Sequence, residues 1–195
     1  MDRAASRPLI TSLPNVLTYL RIAAVPALAA CFLLVKAPDG RWMSMAIFGL
    51  ACVTDWLDGY IARAWGLQST LGRILDPIAD KLLVGTALML LVHQNTIDGV
   101  HIVAALVILC REILVSGLRE FLAELNVRIH VTAMAKYKTS LQMLALGVLL
   151  LGPSGDRVAA GVTTTGLTLL WVAAILTLWT GYDYLRAAVR SALER

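Results

Sequence analysis

The chain carries little charge and few of the side chains that build disulfide or zinc sites. Charged residues make up 15% of its 195 residues, against about 25% in a typical soluble domain. Its three cysteines, Cys31, Cys52 and Cys110, lie in apolar runs without a CxxC spacing, which is typical of small buried side chains. No polar stretch is long enough to fold as a separate soluble domain, and no internal repeat is found.

Long apolar runs make up most of the sequence. Hydrophobic residues account for 58% of the chain, the mean hydropathy is +0.75, and several runs approach or exceed the roughly 20 residues that cross a bilayer. We therefore predict an all-α polytopic membrane protein with six transmembrane helices in one domain. The predicted helices cover 14–35, 43–64, 71–92, 98–123, 131–151 and 160–186. Residues 1–12 are expected to form an N-terminal interfacial segment, 13–186 the six-helix domain, and 187–195 a cytoplasmic tail.

The distribution of basic residues predicts the orientation in the membrane. Lys and Arg flank the amino terminus, the 2–3 and 4–5 loops and the carboxyl terminus, at Arg3, Arg7, Arg63, Arg73, Arg119, Arg128, Lys136, Lys138, Arg186, Arg190 and Arg195. The 3–4 loop has none and the 5–6 loop has Arg157, so the positive-inside rule places both termini in the cytoplasm. Lys36 and Arg41, in a turn predicted over 36–41, are exceptions. The net charge of +4 fits this asymmetry and anionic lipid better than nucleic acid.

Four aspartates surround the predicted 2–3 loop, at Asp55, Asp58, Asp76 and Asp80. Spacings of three and four put each pair on one helix face, and a helical hairpin would bring the two faces together. Each carboxylate near a helix centre costs roughly 2.5–3.5 kcal/mol, a penalty that a divalent cation would offset. Carboxylate ligands suit Mg²⁺, Mn²⁺ or Ca²⁺. The alternative, in which each aspartate caps a helix end in water, accounts poorly for all four together.

The residues between the aspartates favour a phosphate ligand beside the metal. Gly59 and Gly72 allow a close approach of helix or ligand, and Ala62 leaves similar room one turn after Asp58. Arg63 is suited to hold a phosphate. Acidic ligands, an arginine and small residues together indicate a metal–diphosphate site.

The complete pattern reads D-x2-D-G-x2-A-R-x8-G-x3-D-x3-D from Asp55 to Asp80. It resembles the signature of the CDP-alcohol phosphatidyltransferase family at every fixed position, and the resemblance covers nearly the whole chain. It implies a homodimer of six-helix subunits that uses Mg²⁺ or Mn²⁺ and a CDP-linked lipid, with CMP as a product. A bacterial inner membrane, with the active site toward the cytoplasm, is the expected location.

The resemblance also implies roles for individual residues. Asp55, Asp58 and Asp76 would be metal ligands, and Asp80 the general base that deprotonates the acceptor hydroxyl and also contacts a second metal. The implied CDP-lipid contacts are Gly59, Ala62, Arg63 and Gly72, with Asn15 and Thr18 of helix 1. For Asn15, Thr18 and Arg21, a polar stripe packed against neighbouring helices is an equally good interpretation.

The acceptor is predicted from residues outside this signature. The segments 13–26, 71–84, 111–120 and 136–143 together resemble family members that take sn-glycerol 3-phosphate. That resemblance implies acceptor-phosphate contacts at Arg111, Arg119, Lys136 and Lys138. Basic groups close to a metal site suit a phosphorylated acceptor, although a positive-inside anchor explains the two lysines equally well.

Three other functions are compatible with parts of the sequence. The first is the same chemistry with another acceptor, as in a cardiolipin synthase or a phosphatidylinositol phosphate synthase. The second is a small cation transporter, which would explain intramembrane carboxylates but not the spacing of the glycines and Arg63. The third is a purely structural membrane protein, which gives no reason for four clustered aspartates.

Overall fold

The computed structural model describes residues 13–65, 70–124 and 133–193, and these residues are all-helical in architecture. Six helices follow one another: α1 (Leu13–Leu34), α2 (Asp39–Trp65), α3 (Thr70–His93), α4 (His101–Glu124), α5 (Ala133–Asp156) and α6 (Val162–Leu193). The all-α prediction is confirmed for this part of the chain. The interfacial segment predicted over 1–12 lies outside the described residues.

The helices belong to two compact units, one ending at Ala87 and the other beginning at Leu88, so α3 runs across the division. In the first unit α1 packs along α2, with Leu28, Phe48 and Leu83 fully buried. In the second unit α6 packs against both α4 and α5, around buried side chains such as Ile108 and Leu170. Among the described residues, each unit contains a cluster of charged side chains.

Three helices are long and apolar enough to cross a membrane within the described part of the chain: Asn15–Leu34, His101–Leu122 and Val162–Tyr182. The other three carry more charge, as Asp76, Asp80 and Lys81 of α3 illustrate. Because it has these three helices, the protein is membrane-bound. The predicted six spans include three helices that are not among them.

The turn predicted over 36–41 is shorter in the structure, because α2 already begins at Asp39. The carboxylate of Asp39 lies in the first helical turn, where the helix dipole favours negative charge. A Cβ atom on Gly40 would lie 2.8 Å from the carbonyl oxygen of Cys31, so α1 and α2 meet where only glycine fits. Arg41 is buried with its guanidinium 5.1 Å from the centre of the Phe32 ring, which explains one of the two exceptions to the charge pattern.

Two other helix ends differ from the prediction. Helix α5 breaks at Gly152, whose φ of 45° and ψ of −129° are readily adopted by glycine, and then makes one more turn to Asp156. The break lies directly after the end predicted at 151, and Pro153 is well suited to start the additional turn. Helix α6 continues to Leu193 rather than 186, so most of the predicted tail is helical.

The start of α6 is capped by a carboxylate from the end of α5. Asp156 accepts hydrogen bonds from the backbone nitrogen of Thr163 at 3.0 Å and from its hydroxyl at 2.5 Å. These bonds from Thr163 hold the pKa of Asp156 below its usual value, because they stabilise the ionised form. The cap therefore stabilises the fold above the unfolded-state pKa and is lost as the pH falls through the lower folded-state pKa.

We expect Asp156→Asn to lower the unfolding temperature at neutral pH. The unfolding temperature of this variant should also fall less than that of the wild type when the pH is lowered. Thermal unfolding of the purified protein in detergent between pH 6 and pH 3 measures both effects. Thr163→Val, which removes the hydroxyl donor, should shift the curve in the same direction by a smaller amount. Identical pH profiles for the wild type and Asp156→Asn would contradict the capping role.

Candidate active site

The first cluster begins with a polar face on α1. Asn15, Thr18 and Arg21 follow at intervals of three residues, which places them along one side of the helix. All three are buried, with exposed fractions of 1–2%. Buried polar groups are expected to have hydrogen-bond partners, and for Thr18 and Arg21 these partners include the predicted site aspartates.

The hydroxyl of Thr18 fixes one of the aspartates of α3. Its Oγ1 donates a hydrogen bond of 2.6 Å to Oδ1 of Asp76, within the usual range for a hydroxyl donor. Asp76 directly precedes Pro77, which lies inside α3. Thr18 thus connects α1 to the metal-ligand position predicted on α3.

Arg21 connects α1 to both α2 and α3. Its Nη1 lies 2.8 Å from Oδ1 of Asp55 and 3.2 Å from Oδ1 of Asp80. The arginine side chain is fully buried, whereas the side chains of Asp55 and Asp80 are 41% and 40% exposed. Each carboxylate therefore contacts the buried guanidinium and remains accessible to a ligand. We call Asp55, Asp76 and Asp80, with Thr18 and Arg21, the carboxylate cluster.

The charge and donor atoms of the carboxylate cluster fit a divalent cation. The cluster combines three carboxylates with one guanidinium, and oxygen donors are the ligands of Mg²⁺ and Mn²⁺. Among the side chains that the structure describes, no three His, Cys, Asp or Glu form a ready-made metal arrangement. The side chain of Asp58, the fourth predicted ligand, lies outside that set.

The remaining signature residues lie on the same two helices. Gly59 is half-buried in α2 and Gly72 is buried in α3. Ala62 and Arg63 belong to α2, but their side chains lie outside the described residues, as does the 66–69 link. Their predicted contacts with the CDP-lipid therefore stay predictions.

The second cluster is centred on Arg111 of α4. Its Nε donates to the carbonyl oxygen of Thr177 at 3.0 Å, and its Nη2 donates to the hydroxyl of Thr180 at 2.9 Å. A Cβ atom on Gly181 would lie 3.2 Å from Cγ of Arg111, tighter than most contacts of this kind. Helix α6 thus accommodates the arginine with a small residue and orients it with two acceptors.

Glu112 joins this arginine to a lysine of α5. Its Oε1 lies 3.2 Å from Nη1 of Arg111 and accepts a short hydrogen bond from Nζ of Lys138, which is 3% exposed. Arg119 is exposed on α4. We call Arg111, Glu112 and Lys138 the cationic cluster, since it carries one net positive charge.

Arg111 and Lys138, both predicted as acceptor-phosphate contacts, come together at Glu112 in the structure. The structure also adds residues that were not predicted from the sequence. Lys136 belongs to α5, although its side chain lies outside the described residues. Glu112 was not predicted to contact a site residue, although its position directly after Arg111 in the segment 111–120 was a usable signal. Thr177, Thr180 and Gly181 of α6 gave no signal, because small and hydroxyl residues are common in apolar helices.

Comparisons with known proteins identify the family of the chain. The family model described as CDP-alcohol phosphatidyltransferase matches residues 11–179. A protein of Rickettsia bellii is 46% identical over 176 residues, covering 90% of this chain and 94% of the relative. A protein of Haemophilus influenzae is 40% identical over 186 residues, covering 94% of this chain and 96% of the relative. Both relatives are named CDP-diacylglycerol–glycerol-3-phosphate 3-phosphatidyltransferase. The chain therefore belongs to the CDP-alcohol phosphatidyltransferase family, as its aspartate signature predicted.

Proposed function

We propose that the protein transfers the phosphatidyl group of CDP-diacylglycerol to sn-glycerol 3-phosphate, giving phosphatidylglycerophosphate and CMP. The observation that carries this proposal is the convergence of Asp55 and Asp80, from two helices, on the buried Arg21. These aspartates belong to the family signature, and the names of the close relatives support the choice of substrates. A small cation transporter is no longer a competing function for a member of this family.

Asp55, Asp58 and Asp76 would hold Mg²⁺ or Mn²⁺. The bound cation would neutralise the diphosphate and the departing CMP. Thr18 fixes the orientation of Asp76 through the bond to Oδ1, and Arg21 fixes that of Asp55. Both buried residues of α1 therefore act as positioning residues for the ligand set, which favours packing against the aspartates over direct nucleotide contact for Thr18.

Asp80 is the proposed general base. The acceptor hydroxyl gives its proton to the Asp80 carboxylate while its oxygen bonds to the lipid-side phosphorus. The bond from that phosphorus to the CMP oxygen breaks, and CMP leaves with the electron pair. Arg21 holds Oδ1 of Asp80 while 40% of the side chain stays exposed, so the base is oriented and still reachable by a hydroxyl.

The cationic cluster is the proposed phosphate site for the acceptor. A phosphate monoester carries close to two negative charges at neutral pH, and guanidinium and ammonium donors bind it with charge-assisted hydrogen bonds. Arg111 and Lys138 are both largely shielded from solvent, where such bonds are stronger than in water. Arg119 and Lys136 complete the proposed set of cations.

We expect Lys138→Gln to raise the KM for glycerol 3-phosphate about tenfold or more, since one charge-assisted bond to the phosphate is lost. The KM for CDP-diacylglycerol should change little. Initial rates of CMP release at varied concentrations of each substrate measure both constants, and the exposed Lys36→Gln is the matched control. An equal rise in both KM values would argue against a dedicated acceptor-phosphate site.

The cellular setting follows from the charge pattern and the family. We propose six spans in a bacterial inner membrane, with both termini and the active site toward the cytoplasm, and a homodimeric assembly. Cardiolipin synthase and phosphatidylinositol phosphate synthase chemistry differ in the acceptor, and no observation favours either over glycerol 3-phosphate.

A further inference from the structure

Two polar groups in the second unit are buried without a hydrogen-bond partner among the described residues. One is the carboxamide oxygen Oε1 of Gln142 on α5, and the other is the hydroxyl of Thr177 on α6. Gln142 is 2% exposed and Thr177 is fully buried. A buried carbonyl oxygen without a donor destabilises a fold, so it is often explained by a ligand or an ordered water.

The position of Gln142 relates it to the cationic cluster. It follows Lys138 by four residues, so both side chains lie on one face of α5. Helical side chains lean toward the amino terminus of their helix, which directs the Gln142 carboxamide toward Lys138. Thr177 borders the same cluster from α6, because its carbonyl oxygen accepts the bond from Arg111.

The chemistry of the unpartnered atom restricts its ligand. A phosphate monoester dianion offers acceptors only, which suit Arg111 and Lys138 but not a carboxamide oxygen. Oε1 of Gln142 requires a donor, and an alcohol hydroxyl is such a group. The cationic cluster and Gln142 together therefore match a molecule that carries a phosphate and a hydroxyl near each other.

We propose that Gln142 is a specificity-determining residue, which accepts a hydrogen bond from a hydroxyl of a phosphorylated polyol whose phosphate is held by the cationic cluster. This inference rests on the proposed function and deepens it. In glycerol 3-phosphate, the hydroxyl that donates to Gln142 is the secondary one, which does not react. An acceptor without that hydroxyl would leave the buried oxygen unpaired and react more slowly.

The test compares glycerol 3-phosphate with 3-hydroxypropyl phosphate, which retains the phosphate and a primary hydroxyl but lacks the secondary hydroxyl. We expect the wild type to favour glycerol 3-phosphate in kcat/KM by about 10- to 100-fold. Gln142→Met, a near-isosteric apolar substitution, should reduce this preference to near unity, mainly by slowing the reaction of glycerol 3-phosphate. Gln142→Leu is measured in parallel, and Gln94→Met, at an exposed position, is the control that should keep the wild-type preference.

The outcomes separate this inference from the proposed function. Absence of CMP release by the wild type with glycerol 3-phosphate would refute the function itself. Equal use of the two acceptors by an active wild type would overturn the role of Gln142, as would a preference that survives in an active Gln142 variant. A variant that loses activity toward both acceptors by the same factor would indicate a structural role with bound water and would also overturn it.

Discussion

Asparagine in place of Asp80 is expected to lower the rate of CMP release by about 10²- to 10⁴-fold, the usual contribution of a general base. The carboxamide is nearly the same size as the carboxylate and accepts a hydrogen bond, so the packing around Arg21 should persist. It cannot take up the proton of an acceptor hydroxyl. Since Asp55, Asp58 and Asp76 are the proposed principal ligands, divalent metal binding should be largely retained.

Two measurements on the same preparation test this expectation. CMP release reports the reaction, and titration with Mn²⁺ followed by electron paramagnetic resonance reports metal binding without turnover. Asp98→Asn, at an exposed position outside both clusters, serves as the matched control. Loss of Mn²⁺ binding together with activity would assign Asp80 to the ligand set, and an active Asp80→Asn enzyme would exclude it as the base.

Replacing Arg21 by glutamine is expected to destabilise the protein and to slow the reaction strongly. The substitution removes the fully buried cation that holds Asp55 and Asp80, leaving their carboxylates to repel each other. Breaking a buried ion pair costs about 3–5 kcal/mol. Because both carboxylates here are partly exposed and therefore screened, we expect a loss of about 1–3 kcal/mol in the free energy of unfolding.

Thermal unfolding and Mn²⁺ affinity in detergent distinguish this positioning role from general destabilisation. Arg21→Lys retains the charge but not the planar donor geometry, so it should recover more stability than activity. Arg186→Gln removes an exposed arginine of α6 and should change neither property. Unchanged Mn²⁺ affinity and activity in Arg21→Gln would show that the aspartates do not depend on α1.

Much of the fold could be predicted from hydropathy, because long apolar helices leave a strong signal. The ends that were misplaced are set by local contacts. Helix α2 begins at Asp39, where Gly40 fits tightly against the end of α1. In the sequence alone, Asp39-Gly40 resembles a turn. The break at Gly152 coincides with the helix end predicted at 151, since Gly-Pro is among the strongest local signals, but the additional turn to Asp156 was not predicted.

The candidate site could be predicted in part. The spacing of the aspartates predicted that Asp55, Asp76 and Asp80 belong to one site, because residues three or four apart lie on the same face of a helix. The role of Arg21 could not be derived, since no periodicity relates a residue of α1 to residues of α2 and α3. A polar stripe and a ligand-facing stripe have the same pattern in sequence, and it is the contacts with the aspartates that identify Arg21.

The cationic cluster shows the same limit. Arg111 and Lys138 were predicted to share a ligand, but the contact of Glu112 with both was not predicted. The pairing has a physical reason. Two largely buried cations repel each other, and one carboxylate that contacts both reduces this repulsion while leaving a net positive charge.

Phosphatidyl transfer to glycerol 3-phosphate can be measured as release of CMP. Purified protein is incubated with CDP-diacylglycerol and Mg²⁺ or Mn²⁺, with and without glycerol 3-phosphate, and CMP is quantified. We expect CMP release that requires both the divalent cation and glycerol 3-phosphate. Release that needs a different alcohol would contradict the acceptor assignment, and absence of release with any alcohol would contradict the account as a whole.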